Sequence, residues 1–163
     1  MANSFNLTQQ FHASIESVLA AREKRYDDIS KQDGLKGQEL LDKKTEGGFI
    51  ISRRALSLAD RIPDAVKTMI PAGLLNVTEE ARFEIATNTN RFEVTYDKNP
   101  DKLRISGITR YIRESENSCK REYNISVRVD IPLIGGMVET QIMNSFRKGI
   151  ERDYEIISEL LNK

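Results

Sequence analysis

The C-terminal stretch that begins at Pro132 constrains the fold most, because its apolar residues recur at the spacing of an α-helix. At about 100° per residue, Ile142, Phe146, Ile150 and Ile157 lie on one side of that helix, and charged residues occupy the opposite side. At a rise of about 1.5 Å per residue, the helix is roughly 40 Å long. An apolar stripe of that length must be covered by a surface of similar length elsewhere in the chain.

Most of the preceding sequence alternates apolar and polar residues with the period of two that is typical of β-strands. Connections such as Glu46-Gly47-Gly48, a hairpin turn, are short and predict an antiparallel sheet in which neighbours along the chain pair. Gly107 lies inside one strand and predicts a β-bulge there. The predicted strands cover residues 5–12, 37–45, 49–58, 74–86, 91–96, 102–114 and 123–131.

Helical spacing appears between the first two strands. Ser14 can cap a helix whose apolar positions run from Ile15 to Ile29. This segment is either one helix or two short helices bent near Arg25, and it ends before Asp33-Gly34.

A second short helix is predicted between Pro63 and Pro71, since proline suits the first turn of a helix and also ends one. This stretch is a candidate lid over a cavity, and the alternative is a packed connector. The apolar residues that share its face, and are the lid candidates, are Ile62, Val66, Met69 and Ile70.

The pattern predicts a single α+β domain over residues 1–163. A sheet of seven strands rarely stays flat, because strand twist curls it. We therefore expect a curved antiparallel sheet wrapped around the long C-terminal helix, with two short helices between the first and second strands.

Composition argues against several classes of function. Lys and Arg total 25, and Asp and Glu also total 25, whereas surfaces that bind nucleic acid or anionic membranes usually carry a basic excess. The N-terminus lacks the features of a signal peptide, and no apolar run reaches the roughly 18 residues of a membrane-spanning helix. Cys119 is the only cysteine, so no disulfide forms within the chain. We expect a cytoplasmic protein without nucleic-acid partners or stable membrane insertion.

The order of elements, with a proline and a glycine pair before the last helix, resembles the START-like or Bet v 1-like (SRPBCC) superfamily, whose architecture is called the helix grip. The segment from Val129 to Glu139, VDIPLIGGMVE, resembles more narrowly the signature of the DUF2505 family of uncharacterised bacterial proteins. Residues 56–85 also resemble that family's pattern of a strand, a proline-flanked loop and a strand rich in acidic residues. Members often carry a tryptophan near the position of Ala81 or Phe83, and its absence here changes the shape of a pocket more than the fold.

The resemblance implies a cavity between the sheet and the last helix that takes lipids, sterols, polyketides or other apolar molecules. Tyrosines on its walls would add hydroxyl groups to an apolar pocket, which is the usual composition of a ligand site. The candidate lining residues are Phe83, Ile85, Phe92, Val94, Tyr96, Tyr111, Tyr123, Ile125, Val127, Ile142, Phe146, Gly149, Ile150, Asp153, Tyr154 and Ile157.

Two carboxylates interrupt the apolar stripe of the last helix. Glu139 lies in the first turn, where the helix N-terminus favours negative charge, and we interpret it as structural. Asp153 is either a polar anchor inside the cavity, paired with an arginine or tyrosine of the sheet, or a residue of an exposed end or a plain ion pair. The two lie roughly 21 Å apart along the helix, whereas the paired carboxylates of glycosidases lie within about 10 Å. They cannot act as an acid–base pair.

The remaining polar and glycine positions have structural interpretations. Gly149, in the helix interior, costs about 1 kcal/mol relative to alanine, which indicates close packing against the sheet or the approach of a ligand. His12 is expected in water without the partners of a metal site, and Cys119 lacks the activating neighbours of a nucleophile. Lys43-Lys44 and Arg53-Arg54 are predicted to lie on strand faces in water.

The leading hypothesis is a carrier or sensor that binds an apolar or amphipathic small molecule, with entry gated by residues 62–71 and with no cofactor or metal. Whether the chain is also an enzyme stays open: a cyclase or dehydratase would use the same cavity and would need an inward acid–base group. A third hypothesis is a protein-binding cochaperone, which would have a packed interior and an exposed apolar patch.

Overall fold

The computed structural model describes residues 3–25, 38–59 and 62–162. Within this part of the chain, one antiparallel sheet has the strand order β1-β7-β6-β5-β4-β3-β2. Strands β2 to β7 therefore pair with their neighbours in sequence, as the short turns predict, and β1 pairs with β7. The strands are β1 (Asn3–Phe11), β2 (Glu39–Glu46), β3 (Phe49–Ser57), β4 (Asn76–Glu84), β5 (Thr89–Tyr96), β6 (Leu103–Ser115) and β7 (Ser118–Val129). The helices are α1 (Ile15–Lys24), α2 (Asp64–Lys67) and α3 (Gly135–Leu161).

The sheet is curved, and the long helix α3 packs against β7 and β1 and against α1. Alternate residues of each strand point to the concave side, so Ile125, Val127 and Val129 of β7 are buried while Arg128 is exposed. These side chains form one core cluster with Ile142 and Ile150 of α3 and with residues of other strands. The predicted α+β helix-grip architecture is confirmed.

Helix α3 starts where the backbone approaches the end of β7 very closely. The N–H of Gly135 donates to the carbonyl oxygen of Ile131 at 2.9 Å. A Cβ atom on Gly135 would lie 2.5 Å from the carbonyl oxygen of Val129, which leaves no room for a side chain. Glycine is required at this position for packing.

Glu139 connects the first turns of α3 to two strands. It is 2% exposed, and its Oε2 accepts a hydrogen bond from the N–H of Val129 at 2.8 Å. Its Oε1 accepts from Nδ2 of Asn3, also at 2.8 Å. A buried carboxylate needs such partners, so Glu139 is structural as predicted. The reason is different, because the first turn of α3 holds no acidic residue and the partners of Glu139 belong to two strands.

Helix α1 begins as the sequence predicts. The Oγ atom of Ser14 accepts a hydrogen bond from the N–H of Ser17 at 3.1 Å, which satisfies one of the free donors at the helix start. The predicted continuation to Ile29 and the second short helix lie outside the described residues. None of the described helices combines the length and the apolarity that a bilayer crossing requires.

The predicted hairpin turn between β2 and β3 is confirmed. Gly47 and Gly48 have φ values of +58° and +83°, a left-handed pair that matches the twist of the two strands. Strand β2 is an edge strand, exposed along its whole length, and a register shift between Leu40 and Asp42 interrupts its pairing. Such an irregularity with charged side chains discourages edge-to-edge association.

The bulge predicted at Gly107 is wrong. The register of β6 continues through this residue, with Phe92 of β5 opposite it on one side and Ile125 of β7 on the other. A Cβ atom on Gly107 would lie 2.3 Å from the ring of Phe92. The glycine is there because the Phe92 ring lies over it, whereas the register of β6 shifts between Arg113 and Ser115.

The segment that contains α2 packs against the body of the protein. Ile62 and Ile70 are buried in the core cluster, and Val66 packs against it. Met69 points outward and is 47% exposed. These positions match the packed connector that the sequence left as the alternative to a lid.

Candidate functional site

A pocket of about 170 Å³ lies between the concave face of the sheet and helices α1 and α3. Residues of β2 to β7, the last turn of α1 and the middle of α3 line it. Its volume is close to that of cavities of about 150 Å³ that hold a benzene molecule, and below the roughly 300–1,000 Å³ of sites for drug-sized ligands. The pocket therefore has room for a ring-sized molecule.

The apolar part of the pocket consists mostly of residues predicted as cavity lining. Strand alternation and the helix stripe point them inward, and the structure brings them together from β4 to β7 and from α3. Their contact with a ligand stays a prediction. These residues are Phe83, Phe92, Tyr111, Tyr123, Ile125, Phe146 and Ile150.

Four predicted lining residues are instead closely packed in the core. Val94, Val127 and Ile142 belong to the main core cluster, and none is more than 1% exposed. Ile157 is fully buried in a second cluster, between α1, α3 and the end of the sheet. These side chains are on the expected face, but they are buried among other core side chains.

Three further residues that were predicted to line the cavity are not among the described lining residues of the pocket, for other reasons. Tyr96 packs against the edge of the main core cluster. Tyr154 donates its hydroxyl hydrogen to the carbonyl oxygen of Gln10 at 2.6 Å, and its ring centroid lies 4.8 Å from that of Phe11. Ile85 follows the last residue of β4 and is 47% exposed, so the strand ends before it can point inward.

Gly149 does not pack closely against the sheet, and the prediction that it does is wrong. A Cβ atom added to it would have no heavy atom of the described residues within 4 Å, apart from the helix's own backbone and its chain neighbours. The glycine makes no room for a described neighbour, and it is absent from the described lining of the pocket.

The predictions missed the polar half of the pocket. Arg54 was expected in water, yet it is 9% exposed and lines the pocket, while its neighbour Arg53 points to the convex face. The signal was the period of two in β3, because Ser52, Arg54 and Leu56 alternate with outward residues. The other lining residues that were missed are Arg22, Glu23, Arg25, Lys43, Ile50, Ser52, Glu79, Ala81, Asn90 and Thr109.

Several charged residues of the lining are held by contacts within α1 and between α1 and the sheet. Arg22 contacts Glu23 at 2.7 Å, and its guanidinium carbon lies 4.8 Å from the centre of the Phe83 ring. Glu23 also pairs with Lys43 of β2 at 3.2 Å. The last turn of α1 is thereby joined to the edge of the sheet beside the pocket.

A buried arginine lies behind the pocket. Arg121 of β7 is fully buried, and its Nε and Nη2 atoms donate to Oε1 of Gln9 at 3.0 and 2.6 Å. Its Nη1 atom donates to Oδ2 of Asp153 at 2.9 Å. Arg25 also donates to the Asp153 carboxylate, at 2.6 Å. Asp153 therefore pairs with Arg121 of the sheet and with Arg25, and it is not among the described lining residues of the pocket, which matches the plain ion pair and not the anchor inside the cavity.

Aromatic rings surround the Arg121 guanidinium. The guanidinium carbon lies 5.1 Å from the ring centre of Tyr123, 5.3 Å from that of Phe11 and 5.9 Å from that of Tyr111. Desolvation opposes the charge of Arg121, but the interactions with Tyr123, Tyr111 and Asp153 outweigh it and raise its pKa. Burial raises the pKa of Tyr123 despite the opposing charge of Arg121. At neutral pH the arginine is charged and the phenol is a hydrogen-bond donor.

The lone histidine and cysteine take no part in this site. His12 is exposed at the end of β1, as expected. Cys119 is buried, and desolvation raises the pKa of its thiol, which disfavours the reactive thiolate. Over residues 3–25, 38–59 and 62–162, no three His, Cys, Asp or Glu side chains form a group that could hold a metal ion.

Comparison with solved structures shows the same fold in distant proteins. A protein from Thermus thermophilus is 17% identical, with a TM-score of 0.62 over 98% of this chain and 97% of that chain. The Zhui aromatase/cyclase from Streptomyces sp. R1128 is 10% identical, with a TM-score of 0.66 over 99% and 94% of the two chains. A START superfamily protein from Mycobacterium smegmatis is 13% identical, with a TM-score of 0.57 over 98% and 97%. At such identities the likeness shows the fold alone.

No curated protein matches the chain. The model of the family described as "Protein of unknown function (DUF2505)" matches residues 6–161, which is nearly the whole chain. The signature segment from Val129 to Glu139 lies within that match, at the junction where Gly135 and Glu139 dock α3 onto the sheet. The chain therefore belongs to the DUF2505 family and has the START/Bet v 1-like helix-grip fold.

Proposed function

We propose that this protein binds a small apolar or amphipathic molecule in the pocket between the sheet and α3. The observation that carries the proposal is the composition of the pocket. Rings and aliphatic side chains, among them Phe83, Phe92, Ile125 and Ile150, form one part of its wall, and a few polar groups form the other. This combination of apolar surface with convergent polar groups is typical of ligand sites.

The volume of the pocket narrows the class of molecule. About 170 Å³ accommodates one or two fused rings but not the chain of a long lipid. We therefore favour a ring-sized ligand over the lipids and sterols that the fold also suggests. The pocket also favours binding over the cochaperone hypothesis, which needs a packed interior.

The proposal is tested by filling the pocket from the sheet side. Ala81 lines the pocket and is buried between Ser52 and Phe92 of the neighbouring strands. We expect wild-type protein to bind 2-naphthol, an uncharged two-ring amphiphile, in isothermal titration calorimetry. Ala81→Leu places three more carbon atoms in the pocket and should weaken this binding at least about tenfold.

Ala55→Leu is the matched control. Ala55 is one strand away, and its place in the alternation of β3 points it to the convex face. This variant should bind 2-naphthol as wild type does, and thermal unfolding would establish that both variants are folded. If Ala81→Leu binds 2-naphthol as tightly as Ala55→Leu does, the pocket is not the binding site. If neither 2-naphthol nor its acid analogue 2-naphthoate binds at millimolar concentration, the proposed binding function is wrong.

A further inference from the structure

The pocket carries a positive charge that the composition of the chain does not predict. The whole chain has 25 basic and 25 acidic residues. The described lining of the pocket holds twice as many basic as acidic side chains. The basic ones are Arg22, Arg25, Lys43 and Arg54, and the acidic ones are Glu23 and Glu79.

The guanidinium groups are among the more buried of these charges. Arg54 is 9% exposed, and the side chains of Arg22 and Arg25 are 13% and 12% exposed. The paired side chains of Glu23 and Lys43 are exposed by more than 40%. A charge that is shielded from water acts more strongly on a bound molecule than a charge in water does. The buried side of the lining is therefore dominated by arginine.

The arginines are already positioned by other contacts. Arg22 stacks over the ring of Phe83. Arg25 and Arg121 both donate to the carboxylate of Asp153. Fixed guanidinium groups bind carboxylates through charge-assisted hydrogen bonds without a large loss of side-chain freedom.

The rest of the lining suits the other parts of an organic acid. Phe92 and Tyr111 present rings to the pocket, and Tyr123 presents a ring with a hydroxyl donor. Oδ1 of Asn90 is buried and has no hydrogen-bond partner among the described residues. Such an oxygen favours a ligand whose ring system carries a donor such as a hydroxyl group, since the carboxylate itself only accepts hydrogen bonds.

We propose that the pocket selects organic acids with a flat apolar body, whose carboxylate meets the guanidinium groups of Arg54, Arg22 and Arg25. The ring system packs between Phe83, Phe92 and the tyrosines. This inference rests on the proposed binding function and adds the charge class of the ligand to it.

The test compares two pairs of probes, and the two members of each pair have the same shape but different charge. The carboxylate 2-naphthoate and the uncharged amide 2-naphthamide are titrated into the protein by calorimetry, together with the one-ring pair benzoate and benzamide. Wild-type protein should bind each acid at least about tenfold more tightly than its amide. Arg54→Met keeps an unbranched chain of about the length of the arginine stem, removes the charged guanidinium and should bring the affinities for acid and amide within about threefold of each other.

Arg53→Met is the matched control, because Arg53 is adjacent in β3 but points to the convex face, where it pairs with Glu80 at 3.3 Å. It should keep the wild-type preference for the acid. Arg22→Met is a second pocket variant in case Arg54→Met does not fold, and it should reduce the preference in the same direction.

The outcomes separate the two proposals. If acid and amide bind wild-type protein equally, the proposed selectivity is wrong while the binding function stands. A preference that survives in folded Arg54→Met and Arg22→Met also overturns the inference, because the arginines would not be its cause. If wild-type protein binds none of the four probes, the proposed binding function itself is wrong.

Discussion

Arg121 and Asp153 show how single charged residues are accommodated inside this fold. Arg121 is fully buried, and its guanidinium donates to both Gln9 and Asp153. Its raised pKa means that it stays charged. Removing one partner of a buried pair is costly because it leaves the other charge without compensation.

Replacing Asp153 with asparagine should therefore destabilise the protein. The side chain keeps its shape but loses the charge that serves Arg121 and Arg25, and we expect the free energy of unfolding to fall by about 2–3 kcal/mol. Urea unfolding measures the change. Glu155→Gln, which alters an exposed pair with Arg152 on the same helix, should stay within about 0.5 kcal/mol of wild type. If both variants lost the same free energy of unfolding, the buried pair would contribute no more to stability than the exposed pair does.

At the scale of elements, the two glycines of α3 have different roles. Gly135 lies where the helix meets the end of β7, and a Cβ atom there would collide with the carbonyl oxygen of Val129 at 2.5 Å. Gly149 lies in the helix interior, and no such neighbour lies within 4 Å of it in the part of the chain that the structure describes. The first glycine is required by packing, whereas the second only weakens the helix.

Alanine at these two positions should have opposite effects on the stability of the protein. Gly149→Ala should raise the free energy of unfolding by about 1 kcal/mol, the difference in helix propensity between the two residues. Gly135→Ala should lower it by about 1–3 kcal/mol, because backbone atoms must move to admit the methyl group. Chemical unfolding of both variants and of wild type provides the comparison. A loss of stability in Gly149→Ala would reveal a close neighbour of α3 that the described residues do not include.

At the scale of the whole molecule, the concave face of the sheet holds ionisable groups in the same interior as the apolar core. Tyr123 is the clearest case, since burial raises its pKa in the folded protein. An unfolded chain releases the phenol proton near pH 10. Above that pH the unfolded state binds fewer protons than the folded state, so stability falls as pH rises.

We therefore expect Tyr123 to leave the free energy of unfolding unchanged below about pH 10. Above that pH, the free energy of unfolding should decline as the pH rises towards the folded-state pKa of Tyr123. One such group contributes a slope of up to about 1.4 kcal/mol per pH unit. Urea unfolding between pH 8 and about pH 11.5 measures the slope. Tyr123→Phe should make the decline shallower by that amount, and Tyr96→Phe, which leaves Tyr123 in place, should not. An identical decline in wild type and Tyr123→Phe would contradict this account.

Much of the fold could be predicted because its signals are local. A period of two marks the strands, a period of 3.6 marks α3, and Gly47-Gly48 marks the hairpin turn. The cap at Ser14 follows from the short-range preferences of helix ends. Each of these signals depends only on a few residues that are neighbours in the sequence.

Tertiary structure alone decided which inward positions line the pocket and which fill the core. Val94 and Phe92 share a face of β5, yet Val94 is packed in the core and Phe92 faces the pocket because Gly107 lies opposite it. Hydropathy misplaced Arg54, since a charge was assumed to prefer water, and it could not name Arg121 as the partner of Asp153. Such partners lie tens of residues apart in sequence, and only strand register and the docking of α3 bring them together. The sequence by itself therefore determined the elements and their faces, and the packing between elements determined the pocket and its charge.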